Sequence, residues 1–394
     1  MIFFILMTSL NVFFAQEKTE NLENQNTTEN LNSTESLAEK SINSFDNKLF
    51  ASLCDKDGNV NYSSISIYSL LYALQQGAQN QTKEQLNAVI DFSPSPDFDA
   101  QMQNLITNTQ NMSNSLWYKK TLDIQSEYKK FAKAYDFEIK PTDFYNATKV
   151  RKDINSFISK KTDKLIENFL SENLPVSTQL VLLNTLYFNQ KWETAFDEAD
   201  TREQNFYKTK TAKTPVQMMH KTFRLPYYED NTFQIIELAY EDERYSMLIF
   251  LPKDYEYDFT KTNANCLIEK YDSHHSFQRV QVSFPKFDLT TKYDLIPILQ
   301  GLGMQDAFNP QAVDFSKIFT NSQNIYVDAA IHQVRIMVNE KETKAAAVTM
   351  FGMKTTSARP ERPIIFTADH PFCYVIRDKE LGINLFTGIV REPR

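Results

Sequence analysis

Apolar positions along the chain follow two rhythms. Helical spacing runs through Ile67 to Ala78 (IYSLLYALQQGA), Ile154 to Leu170 (INSFISKKTDKLIENFL) and Tyr293 to Leu302 (YDLIPILQGL), which predicts helices there. Strand-like runs occupy Leu180 to Phe188 (LVLLNTLYF), Tyr245 to Leu251, Val280 to Phe284, Tyr374 to Ile376 and Leu385 to Val390. Along one further strand His332, Val334, Ile336 and Val338 share a face, with Gln333, Arg335, Met337 and Asn339 opposite. Strands and helices alternate without a regular βαβ order or a repeat, so the pattern predicts a mixed α+β fold. No linker interrupts it after Leu37, and residues 37–394 are expected to form one domain.

One segment fits neither rhythm. Between two apolar strands the chain reads VNEKETKAAAVTMFGMKTTSARPERP, Val338 to Pro363. A core strand would be β-branched and aromatic, and an ordinary connection is about 4–6 residues. Extended, it would place Thr343, Ala345, Ala347 and Thr349 on one face and Lys344, Ala346, Val348 and Met350 on the other. The first set is small and uncharged, so a sheet could accept it without overpacking or burying a charge. A long exposed loop with a strand held in reserve is expected.

The other end has a different character. MIFFILMTSLNVFFA, residues 1–15, is apolar, lacks charged side chains and ends on a small residue, which is signal-peptide length and short for a membrane anchor. Residues 16–36 are rich in Asn, Thr and Glu without apolar periodicity, the composition of a disordered tail. Sequons at Asn26, Asn32, Asn61, Asn80, Asn111 and Asn146 fit a secretory route and a glycosylated, extracellular or vesicular protein.

Composition narrows the function more than the fold. With 30 Phe and 19 Tyr there is material for a large core, and a net charge of −8 argues against a nucleic-acid binder. Lys119/Lys120 and Lys160/Lys161 read as solvated helix faces, so no polyanion or glycosaminoglycan site is expected. Cys54, Cys266 and Cys373 have no CxxC spacing, which gives neither a disulfide framework nor a zinc site, and they are expected as small buried hydrophobes.

No catalytic constellation assembles. The seven glycines make no phosphate loop, since Gly301 and Gly303 begin such a pattern but Asp306 stands where the third glycine belongs. There is no GxSxG elbow and no HExxH helix. His274 and His275 lie in a polar stretch, and His332, on an apolar strand face, is expected to be a hydrogen-bonded core group. The sequence therefore argues against an enzyme, a metal centre or a cofactor.

Six stretches, in order, resemble the serpin family: VNYSSISIYSLLYALQQGAQNQTKEQL (Val60 to Leu86), LLNTLYFNQKWETAFD (Leu182 to Asp197), YSMLIFLPKD (Tyr245 to Asp254), VSFPKFDLTTKYDL (Val282 to Leu295), AAIHQVRIMVNEKETKAAA (Ala329 to Ala347) and DHPFCYVIRDKELGINLFTGIVREP (Asp369 to Pro393). The resemblance implies three β-sheets, about eight to nine helices and a reactive-centre loop over about 340–363. It also implies a monomeric suicide inhibitor of a serine protease, whose cleaved loop enters the main sheet while the protease remains covalently attached.

Residue by residue, the resemblance places the scissile bond at Thr356-Ser357, with Met353, Lys354 and Arg359 as alternatives. Glu340, Glu342, Thr343, Ala345, Ala346 and Ala347 form the hinge. Ser63, Ser66, Asn184 and His332 match a hydrogen-bonded cluster beneath the strands that part, Trp192 matches the tryptophan at the top of that opening, and Glu340 with Lys286 matches an ion pair tying the loop's base. Three positions depart from the pattern: Glu342 replaces a usual glycine, Ser64 a proline and Gln190 a glycine. Glu342 keeps open the alternative of a non-inhibitory carrier, chaperone or storage member cleaved as a plain substrate.

Overall fold

A computed structural model describes residues 35–95, 97–321, 324–341 and 362–393. The leader, most of the tail, Asn26, Asn32, Glu342, Thr343, Ala345 to Ala347, Met353, Lys354, Thr356, Ser357 and Arg359 lie outside them.

The helices are α1 Leu37–Leu53, α2 Ser64–Gly77, α3 Asn80–Val89, α4 Phe98–Asn108, α5 Ser126–Ala134, α6 Ala147–Lys161, α7 Ala264–His274 and α8 Leu295–Gly301. The strands are β1 Val60–Tyr62, β2 Met112–Lys119, β3 Phe137–Thr142, β4 Leu180–Phe188, β5 Arg202–Tyr207, β6 Lys213–Glu229, β7 Phe233–Ala239, β8 Tyr245–Pro252, β9 Ser276–Pro285, β10 Phe287–Asp294, β11 Ala329–Val338, β12 Ile364–Thr367, β13 Phe372–Asp378 and β14 Ile383–Val390. Residues Leu37–Arg394 cluster as one compact unit.

The main sheet runs β10-β11-β4-β2-β3. Strands β4 and β11 are parallel neighbours near its middle, in register from Ala329↔Val181 to Ile336↔Phe188. The other expected sheets, β1-β14-β13-β8-β7 and β5-β6-β9-β12, are hydrogen-bonded into one. The cause is the 17-residue β6, whose Met218 to Tyr227 pair with β9 while Tyr227 to Glu229 also pair with β7.

All nine residues of β4 are buried, which follows from cover on both faces. Leu180, Leu182 and Leu186 join the main core. Val181 and Leu183 join a smaller core with Trp117 of β2 and the Val150, Ile154 and Ile158 stripe of α6, against which Ala329 and Ile331 of β11 also pack. Helix α6 thus lies across the β4/β11 boundary. It ends at Lys161, nine residues before the apolar spacing does, because Asp163 and Lys164 turn left-handed (φ 47° and 64°). Ile166, Phe169 and Leu170 still reach the same small core, which explains why a helical period continues through a turn.

Other expectations are corrected by packing. Lys119 ends β2 and Lys120 follows it in a turn, so only Lys160 and Lys161 lie on a helix. Tyr293 belongs to β10, and α8 starts only at Leu295. Cys54 and Cys373 are buried, but Cys266 is exposed on α7, and all three are free thiols. Asn61 is fully buried in β1, which removes that sequon from glycosylation of the folded chain, whereas Asn80 and Asn146 are exposed. His274 and His275 are exposed, and Gly303 (φ +108°) takes the turn after α8.

Candidate functional site

Three strands of the main sheet each carry a buried polar residue, Asn114 of β2, Asn184 of β4 and His332 of β11, and register aligns them. Asn184 of β4 pairs with Asn114 of β2 on one side and His332 of β11 on the other. Facing this row is the N-terminal turn of α2, where Ser63, Ser66 and Ser69 recur every three residues. That spacing puts them on one side of the helix.

The Asn184 amide uses its hydrogen-bonding capacity fully. Its Oδ1 accepts from Ser66 Oγ at 2.8 Å and from His332 Nδ1, while its Nδ2 donates to Ser66 O at 3.0 Å and Asn114 Oδ1 at 2.6 Å. Asn114 Nδ2 donates to Ser69 Oγ at 2.8 Å, and that hydroxyl donates to Ser66 O at 2.8 Å. Ser63 caps α2 by accepting from Ser66 N at 3.3 Å.

His332 is fully buried and lies near-parallel to the Tyr293 ring at 6.4 Å. Ser63 N donates to its Nε2 at 3.2 Å. Because a backbone N–H only donates, Nε2 must be unprotonated and the ring proton must sit on Nδ1, directed at Asn184. Burial pushes the imidazole down to about 3, so the ring is neutral. These bonds clamp β4 to β11 and both to α2.

A second cluster holds the end of β11. Trp192, 5% exposed, stacks on Tyr240 at 4.5 Å and donates from Nε1 to Asn339 O at 2.9 Å. Phe196 N donates to Glu340 O at 2.9 Å. The buried Glu340 carboxylate accepts from Lys286 Nζ (2.8 Å to Oε2) and from Thr201 Oγ1 (2.7 Å to Oε1). Burial alone would raise its pKa, but the Lys286 ammonium and the Thr201 hydroxyl together hold it below the usual carboxylate value. Beyond it Lys341 Nζ meets Glu198 Oε1 at 2.7 Å. From here the chain leaves the main sheet, and it re-enters the other sheet at Ile364, paired with Val280.

The structure thus brings Ser63, Ser66, Asn184 and His332 into one cluster and Trp192, Lys286 and Glu340 into another. Asn114, Ser69, Thr201 and Phe196 belong to them as well and are missed by the sequence reading. The three-residue serine period was the available signal, since Asn114 stands between Ser113 and Ser115 in a polar stretch that does not single it out; nothing local marks Thr201. Ser64, where the family has proline, is buried, and its hydroxyl has no partner among the described residues. Among the described residues no group of His, Cys, Asp and Glu could hold a metal ion, and no helix is long and apolar enough to cross a membrane.

Comparison with known proteins agrees with this architecture. The family model "Serpin (serine protease inhibitor)" matches residues 40–393. Serpin B5 of Xenopus tropicalis is 33% identical over 86% of this chain and 94% of its own, and leukocyte elastase inhibitor A of Mus musculus is 31% identical over 85% and 93%. The crystal structure of maspin superposes with a TM-score of 0.81 at 25% identity, covering 90% of this chain and 98% of the other. Sheet order, clamp and sequence together place the chain in the serpin family.

Proposed function

We propose that this serpin is a secreted inhibitor that traps a chymotrypsin-fold serine protease as a covalent acyl-enzyme. The observation that carries the reading is the parallel pairing of β4 with β11 at the point where the loop departs. A segment folding back from the end of β11 would run antiparallel to both strands, replacing one parallel ladder with two antiparallel ones, the more stable arrangement per residue. That gain is the free energy available for trapping.

The chemistry itself belongs to the protease. Its serine attacks the carbonyl of Thr356, the Thr356–Ser357 bond breaks, the amine of Ser357 departs, and Thr356 remains esterified. Insertion of the segment from Thr343 onward between β4 and β11 carries the ester, and the protease with it, away from the loop's starting point before water can hydrolyse it. Entry requires the Asn184–His332 bond to open and α6 to shift, since its small core draws on both strands. The clamp therefore sets when insertion occurs.

Glu342 favours a second reading. A charged residue in the hinge slows insertion relative to hydrolysis, and a chain that inserts too slowly is released as cleaved substrate. One experiment separates the two: incubation with trypsin, chymotrypsin, elastase and cathepsin G, denaturing gels and intact mass of the released C-terminal fragment. A band at the summed mass with a fragment starting at Ser357 supports the trap, whereas cleavage by every protease without complex or gain in thermal stability supports the alternative. N-terminal sequencing of protein from the culture medium tests secretion and removal of residues 1–15.

A further inference from the structure

We infer that the cavity beside Trp192 is a binding site for an amphipathic organic anion, a flat apolar body bearing one carboxylate or sulfonate, and that its occupancy is coupled to the base of the exposed loop. The cavity measures about 410 Å³, within the about 300–1,000 Å³ of small-molecule sites.

Its walls are apolar and aromatic. Trp192 and Phe196 come from the segment after β4, Phe223 and Leu225 from β6, and Leu238 from β7. Phe196 and Phe223 meet edge to face at 5.2 Å, which fixes the shape of a slot for a flat ring.

Charge then selects the sign of the ligand. Arg377 is already held by two carboxylates, Glu237 Oε1 at 3.0 Å and Asp272 Oδ1 at 2.8 Å, and offers no free positive charge. At the mouth stand Arg224 and Lys379, both exposed and without an acidic partner among the described residues, against the single carboxylate of Glu193. Arg224 is also directly opposite Arg279 across the β6/β9 pair.

The coupling follows from two hydrogen bonds. Trp192 and Phe196, both lining the cavity, are the residues that hold Asn339 O and Glu340 O. A ligand wedged against these two rings restrains the carbonyls from which the loop starts. By reciprocity, loosening those carbonyls must weaken the ligand.

The test is a fluorescence titration of the full chain with 8-anilinonaphthalene-1-sulfonate, with no protease present. One saturable site per chain is expected, weakened at least tenfold in R224E/K379E at an unchanged melting temperature, and unchanged in K120E on an exposed turn that contributes nothing to the cavity. Equal affinity in wild type and R224E/K379E, or binding that does not saturate at one per chain, would overturn the site. For the coupling, K286A, which alters the loop base from outside the cavity, should weaken the probe threefold or more. Unchanged affinity in K286A would overturn the coupling and leave the site to be judged by the charge reversals.

Discussion

Acid should act on this protein through two buried groups of opposite sign, and separating them tests the clamp. His332 has a free value of 6.5 and a folded value of about 3. A histidine lowered in this way contributes stability that is complete above pH 6.5 and is lost as pH falls towards 3. At about 1.36 kcal/mol per pH unit, moving from pH 7.5 to 5 removes about 2 kcal/mol. The cause is burial of the ring, and protonation at Nε2 would also set a new N–H against the Ser63 N–H.

Asp46 of α1 does the reverse. It is 1% exposed, its Oδ2 has no partner among the described residues, and burial raises its carboxyl from 3.8 to about 6, although Thr387 Oγ1 donates to Oδ1 at 3.4 Å. The raised value costs stability above pH 6, and the cost is relieved as pH falls towards 3.8. By pH 5 the relief is about 1.4 kcal/mol. Wild type should therefore lose less than about 1 kcal/mol between pH 7.5 and 5 from this pair.

The variants expose each half. D46N should lose about 2 kcal/mol over that interval and H332Q should gain about 1 kcal/mol, read as the first transition in urea at matched ionic strength. If H332Q kept the pH response of wild type, His332 would not be the neutral buried group described here, and the clamp would have to be drawn differently.

Four shorter expectations follow. N184L strands the donors and acceptors of Ser66, Asn114 and His332, and should cost about 3 kcal/mol in urea unfolding and hasten spontaneous loop insertion, read by native gel. K286A removes the Glu340 carboxylate's cation and leaves it the Thr201 hydroxyl and its own backbone N–H, and with Lys286 half-exposed the cost should be about 1–2 kcal/mol, above pH 5 only, because protonating Glu340 removes the charge to be paired. E342G should raise the fraction of protease captured as complex over that released after cleavage, and an unchanged partition would remove Glu342 as the reason for substrate behaviour. A thiol reagent should titrate one cysteine, Cys266, in native protein and three in urea, since burial raises the thiols of both Cys54 and Cys373.

What the sequence made legible tracks how local each cause is. Strand β4 could be read to its first and last residue because nine consecutive buried positions need no knowledge of what covers them. Strand β11 could be read because alternate residues face different layers. The end of α6 could not, since Ile166, Phe169 and Leu170 keep the helical period while the backbone turns at Asp163. Cys266 was misjudged for a related reason: α7 has an outer face, and a small apolar residue carries no signal of which side of a helix it will occupy. Asn61 satisfies the rule for a sequon yet sits wholly inside, because acceptor sequence says nothing of burial.

The site divides in the same way. Ser63, Ser66, Asn184 and His332 were found through family resemblance, and Asn114 was not, although its side chain makes two hydrogen bonds in the cluster, as many as His332. A buried Asn whose amide both donates and accepts must have a neighbour that does the same, so Asn184 already implied a partner on the strand at its other side. Only the register of β2 against β4 says which residue that is. The base of the loop is harder still, for Thr201 and Phe196 serve Glu340 from a segment whose path no periodicity describes. There the determining interaction is a long-range one between a buried carboxylate and whatever donors the fold delivers, so charge and burial predict that donors exist and only the folded chain determines which they are.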